Sequence, residues 1–133
     1  MVVASGRFFE NQLFRLDHEL DGALVRITRT AAPIDDLEAF GERVAELGGA
    51  LERSQARVAL MDLRGGPIGR NDPEFEAASS SWRQLLSARF AKVAVLVRTQ
   101  VGRLQVQRLG RQEHREPHVF LDENEAIRYL TSS

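Results

Sequence analysis

Apolar positions along this chain change period several times, and each change marks an element. The densest run is Val58, Ala59, Leu60 and Met61, inside residues 56–66, ARVALMDLRGG. It is too short for a buried helix and has no polar face. It therefore predicts a strand over 58–63 covered on both sides, the centre of a sheet with helices packed against it. Asp62 ends the run and Gly65-Gly66 follow. Charge and glycine thus stand at the carboxyl end of the strand, where α/β sheets tend to carry their sites.

The rest of the pattern fits around that strand. Residues 1–7 read as a loose end and strand character begins at Phe8. Leu13, Phe14 and Leu16 give one strand, Asp21-Gly22 is a hairpin signal, and Leu24, Val25 and Ile27 give the next. Asp35 with Glu38 opens a helix in the manner of a capping box. Leu37, Phe40, Val44, Leu47 and Leu51 then recur at helical spacing, and Gly48-Gly49 predicts an early end. Residues 64–72, RGGPIGRND, form a loop, and Asp72-Pro73 supplies a cap and first position for a second helix. Its apolar stripe is Phe75, Ala78, Trp82, Leu85 or Leu86, and Phe90. KVAVLVR over 92–98 predicts a strand, and residues 100–113 a more ragged helix with Val101, Leu104 and Leu109 facing in. After Pro117, Val119-Phe120-Leu121 makes a last strand, and Asp122 with Glu125 opens a closing helix that buries Ala126, Ile127 and Leu130.

Alternating helices and strands after a hairpin imply parallel, right-handed crossovers. The predicted fold is α/β: one domain over 12–131, a four- to five-stranded mixed sheet with four helices, and residues 1–11 outside it. Phe40, Val44, Leu47, Leu60, Val95 and Phe120 are the expected core.

Composition changes this picture little. At 133 residues the chain suits one domain with a real core. A net charge of −1 gives no global field to recruit nucleic acid. The absence of cysteine excludes disulfides and thiolate chemistry and favours a cytoplasmic protein. No apolar run reaches the roughly 18 residues of a membrane span, and MVVASGRFF has no basic n-region of a signal peptide.

Charge is unevenly spread. Residues 35–53 hold six acids and two Arg, whereas residues 98–118 hold five Arg and two Glu. The plain reading is two solvated helix faces; the sharper one is an acidic and a basic patch suited to a charged partner or to self-association. No aromatic residue lies between Arg98 and Arg115, which argues against a stacking platform for nucleic acid.

Motifs for chemistry are sparse. His18, His114 and His118 have no metal-ligand spacing, and no metal or other cofactor is expected. There is no GxSxG elbow, and Ser79-Ser80-Ser81 falls inside a helix, where serines face solvent or bond back. GGPIGR lacks the Lys and hydroxyl of a phosphate-binding Walker loop. Asp62 and Arg64, with Asn71 and Asp72, cluster at the sheet's carboxyl edge without a matched base or nucleophile, so no catalytic residue is assigned.

The opening hairpin, the helix DLEAFGERVAEL, the strand VALMDLRGG and the closing HVFLDENEAIRYL together resemble the SpoIIAA-like domains of the STAS and Sec14-related superfamily. The ending carries Phe120, Asp122, Glu123, Glu125, Ala126, Tyr129 and Leu130. The resemblance implies a small bacterial, non-enzymatic module that regulates by binding a protein. Its Sec14-related branch implies instead a carrier of a small apolar or anionic ligand between sheet and helices. Antagonist-type members are switched by phosphorylation of a Ser or Thr near the start of the helix after the central strand. Residues 64–76 contain no Ser, Thr or Tyr, so no phosphosite is expected. The expected contact loop is Asp62, Arg64, Gly65, Gly66, Asn71 and Asp72, and the alternative surface is the basic helix with Arg103, Arg108 and Arg111.

Overall fold

In a computed structural model describing residues 6–67, 73–112 and 118–132, the apolar runs assemble into one six-stranded mixed sheet with four helices. The strands are β1 (Gly6–Glu10), β2 (Phe14–Glu19), β3 (Leu24–Arg29), β4 (Val58–Asp62), β5 (Lys92–Leu96) and β6 (His118–Phe120), adjacent in chain order. The helices are α1 (Leu37–Glu52), α2 (Pro73–Arg89), α3 (Gln100–Gln112) and α4 (Glu123–Thr131). β1 to β3 pair antiparallel, and β3 to β6 pair parallel. The β2–β3 turn needs three consecutive residues at positive φ, Leu20, Asp21 and Gly22, and Asp21-Gly22 marks it in the sequence.

Strand alternation sends side chains to two separate cores. On one face Leu16, Val25, Ile27, Ala59 and Met61 pack under Phe40, Leu47 and Leu51 of α1 and Trp82 and Leu86 of α2. On the other, Leu24, Leu60, Ala94 and Leu96 pack against Ala126 and Leu130 of α4. The three crossovers advance across the sheet in one direction, and right-handed connection puts α1, α2 and α3 on a single face. A Cβ on Gly102 of α3 would stand 3.7 Å from Cβ of Val97, which continues the row of Val93 and Val95 on that face.

Several expectations change. The sheet has six strands because β1 starts at Gly6, within residues 1–11 that were placed outside the domain, with strand character expected only from Phe8. It satisfies its backbone against β2 and brings Phe8 and Phe9 onto the core. The α1 cap is Asp36, not Asp35: its carboxylate accepts the N–H of Glu38 at 3.0 Å. α1 runs on through Gly48-Gly49 to Glu52, since burial of Leu47, Ala50 and Leu51 outweighs a propensity cost of about 1 kcal/mol per glycine. Val101 and Leu104 do not face in; they are 69% and 60% exposed. The side chain of Leu109 lies outside the described residues. Phe40, Leu47 and Leu60 are buried, while Val44, Val95 and Phe120 are half-buried at the margins of the two cores.

Phe40 touches the ring of Phe75 at 5.2 Å between centroids and joins α1 to α2. Phe40→Ala should cost about 3–5 kcal/mol in chemical denaturation. Val101→Ala, on the exposed side of α3, should stay within about 0.5 kcal/mol. A loss of less than about 1 kcal/mol at Phe40 would contradict this packing.

Candidate functional site

Asp62 is the last residue of β4 and sits on the α4 face, in line with Val58 and Leu60. Its carboxylate is buried and fully engaged. Oδ1 accepts the backbone N–H of Arg64 at 3.1 Å and its Nε–H at 3.0 Å; Oδ2 accepts from Arg64 Nη2 at 2.9 Å and Arg26 Nη1 at 3.1 Å. Arg26 also donates to Glu19 on β2 at 2.5 Å and to Glu123, the first residue of α4, at 2.9 Å. Arg64 reaches the same Glu123 oxygen at 3.0 Å. Two guanidinium groups and three carboxylates thus close a network that ties β2, β3 and the end of β4 to the start of α4.

The electrostatics follow from that geometry. Burial pushes the Asp62 carboxyl up, but the bonds and charge of Arg64, with Arg26 behind them, outweigh it and hold the group below the usual carboxylate range. Burial works against the Arg26 charge, and Glu19 and Glu123 overcome it, so its pKa lies above the ordinary value. Arg64 is likewise raised, chiefly by its bond to Asp62.

The loop beyond Arg64 meets a second arginine. Arg29, at the end of β3 on the opposite face, is buried and donates to the carbonyls of Thr30 at 2.6 Å and Ala32 at 2.7 Å. Burial pushes its pKa down. A Cβ on Gly66 would fall 2.8 Å from Arg29 Cγ, whereas one on Gly65 would meet only the Arg29 carbonyl oxygen at 3.5 Å. Gly66 is therefore needed for close approach, and Gly65 is not.

The expected contact loop is thus gathered in part. Asp62, Arg64, Gly65 and Gly66 lie together at the carboxyl edge; Asn71 and Asp72 lie outside the described residues. Arg64 keeps 40% of its side chain exposed, while Asp62 is turned inward as a structural anchor. Arg103 and Arg108 stand partly exposed on α3, and Arg111 continues that helix, its side chain outside the described residues. Ser79 does not face solvent as helical serines commonly do. It is buried in α2, and its hydroxyl accepts from Arg83 Nη1 at 2.6 Å.

One polar pair has no local signature. His18 Nε2 and the buried Ser54 Oγ are 2.8 Å apart, joining residues 36 positions apart in sequence. The His18 ring stacks on Phe8 at 4.0 Å, and Ser54 Oγ also accepts the Ala56 N–H. The pair docks β1 and β2 on the loop before β4. His118 stacks on Tyr129 at 4.2 Å. Among the described residues there is no cluster of three or more His, Cys, Asp or Glu able to hold a metal ion, and no helix long and apolar enough to cross a membrane.

No protein-family model matches the chain, and neither a curated protein nor a solved structure matches it.

Because the folded Asp62 pKa is depressed, its contribution to stability is complete above the unfolded value of about 3.9 and is lost as pH falls through the folded value. Asp62→Asn should cost about 1.5–3 kcal/mol at neutral pH. The gap from wild type should narrow as the pH drops below about 4, checked by urea melts across that range. In the neighbouring loop, Gly66→Ala should destabilise by about 1–3 kcal/mol and Gly65→Ala by much less. Equal effects at the two glycines would contradict the Arg29 contact.

Proposed function

We propose that this chain is a non-enzymatic regulatory domain of the SpoIIAA-like kind, acting in the bacterial cytoplasm by binding another protein. The observation that carries the reading is the packing of buried aromatic and apolar side chains beneath α2. Trp82 packs on Phe14 with ring centroids 5.8 Å apart, and Trp82, Leu86 and Phe90 are all buried. A Sec14-like carrier would need its ligand space there, and the packing of these side chains into the core favours the binding-domain reading. A shallow pocket of about 70 Å³, lined by residues including Leu13, Pro33, Ile34, Ala39 and Phe40, opens elsewhere, beside the start of α1. It has room for a few waters. The opening hairpin also agrees with the resemblance.

Partner contact is assigned to the carboxyl edge, around Arg64, Gly65 and Gly66 with Asn71 and Asp72. There the chain turns on a rigid sheet without disturbing either core. Burial of Ser79 supports a contact that is not gated by phosphate at the start of α2.

The test is affinity capture with cross-linking, comparing wild type with Arg64→Ala and Gly65→Ala. Gly65→Ala should keep the fold, and Arg64→Ala, which removes two of the four hydrogen bonds to Asp62, should stay folded at reduced stability in urea melts run alongside. Both should recover at least about tenfold less of a different protein cross-linked to the loop, a loss of about 1.4 kcal/mol. Full capture by both, with capture abolished by Arg103→Glu and Arg108→Glu, would move the partner surface to α3.

A further inference from the structure

The three helices on one face of the sheet differ in charge in a way that the fold does not require. α1 carries four Glu and one Arg, α2 carries two Glu and two Arg, and α3 carries three Arg and no acid. They lie in the order α1, α2, α3 and run parallel to one another, since each returns the chain between parallel strands. The layer is therefore acidic on one side, neutral in the middle and basic on the other.

Its outer surface is also built for close approach. On α1, Glu38, Gly41, Glu42 and Ala45 are exposed. On α2, the exposed residues Ala77, Gln84, Leu85, Ser87 and Ala88 carry no charge, Glu74 in the first turn is an exposed acid, and Leu85 leans over Gly48 of α1. On α3, Val101 and Leu104 stand in solvent one turn apart, beside the arginines. An acidic surface with small residues between its charges complements apolar side chains left this open on a basic helix. Within this molecule, α1 presents one.

The geometry points to a second copy of the chain as the occupant of this face, in a closed two-fold dimer. Two helical layers meeting face to face are related by an axis lying in the plane between them. An axis across the helices would stack α1 on its own copy, acid on acid. An axis along α2 stacks each α1 on the partner's α3 and brings the two α2 helices together along the stretch of Ala77, Gln84 and Ala88, which carries no charge. The charge pattern selects the second arrangement. Each acidic–basic contact then forms twice, Val101 and Leu104 meet the small residues of the opposing α1, and the assembly closes at two subunits. This dimer goes beyond the binding-domain reading and does not rest on it: a monomeric wild type would remove the dimer and leave capture at the carboxyl edge untouched.

Sedimentation velocity on the full chain tests it. In about 0.1 M salt wild type should dimerise, and in about 1 M salt, where the Debye length falls from about 10 Å to about 3 Å, the dimer should weaken at least about tenfold. A chain with α1 reversed (Glu38→Arg, Glu42→Arg) and a chain with α3 reversed (Arg103→Glu, Arg108→Glu) should each be monomeric. Mixed together, they should recover a one-to-one dimer, visible in native mass spectrometry, because each reversed helix then faces its complement. Ala45→Arg removes no internal contact and should also block association, which keeps the test open if a reversal impairs folding. The proposal is overturned by a wild type that stays monomeric into the high-micromolar range, by a dimer that survives Ala45→Arg, or by two folded reversed chains that fail to pair.

Discussion

β4 has no solvent face, and the rest of the molecule is arranged to make that possible. Ala59 and Met61 lie under α1 and α2, Leu60 lies under α4, and β3 and β5 flank the strand on either side. A strand buried on both faces must hand its chain back to water at its end. Asp62 does so by trading hydration for four hydrogen bonds from Arg26 and Arg64. Without those partners a carboxylate at this depth would carry a large desolvation penalty. With them, the same group fixes where α4 begins, because Glu123 shares both arginines. The second core therefore depends on an ionic junction at its rim as well as on Leu60, Ala94 and Leu96.

What the sequence makes legible follows from how local each signal is. β4, the α1 stripe and the hairpin at Asp21-Gly22 announce themselves within a dozen residues, and the structure keeps all three. β1 could not be read this way, since GRFFE becomes a strand only through antiparallel pairing to β2. The junction around Asp62 is equally hidden: Arg26 and Glu123 are 97 positions apart, and neither belongs to a motif. The candidate loop was legible as charge and glycine after a strand. That Asp62 would turn inward while Arg64 stayed partly exposed was not, because it depends on which face of β4 carries the terminal residue.

α3 is the instructive misreading. Val101 and Leu104 have the spacing of a buried stripe, and a rule that sends apolar residues inward turns them toward the sheet. In the structure α3 instead meets its neighbours through smaller groups: Gly102 approaches Val97 and Thr99, and Gly110 is buried. Glycine on the inner side goes with Val101 and Leu104 standing outside. Val101 and Leu104 were assigned to the wrong side, and the error itself marks a surface, since exposed apolar residues in company with like charges are more informative than scattered ones.

Two kinds of charge arrangement coexist in this chain, and their physics differs. At the carboxyl edge, opposite charges are gathered, partly desolvated and bonded to one another, so they hold the fold together and respond to acid more than to salt. On the helical face, the acidic excess of α1 and the basic excess of α3 are kept apart with α2 between them, and the surface pairs of Arg43 with Glu42 and Glu46 contribute little to the fold that holds them. Charge of this kind is open to screening, and a surface that carries the inverse pattern complements it. Charges held in the order acidic, neutral, basic supply that inverse pattern themselves when turned over about the central helix. Self-recognition on this face therefore needs no feature beyond those already present, whereas any other partner would have to match two opposite surfaces at a fixed spacing.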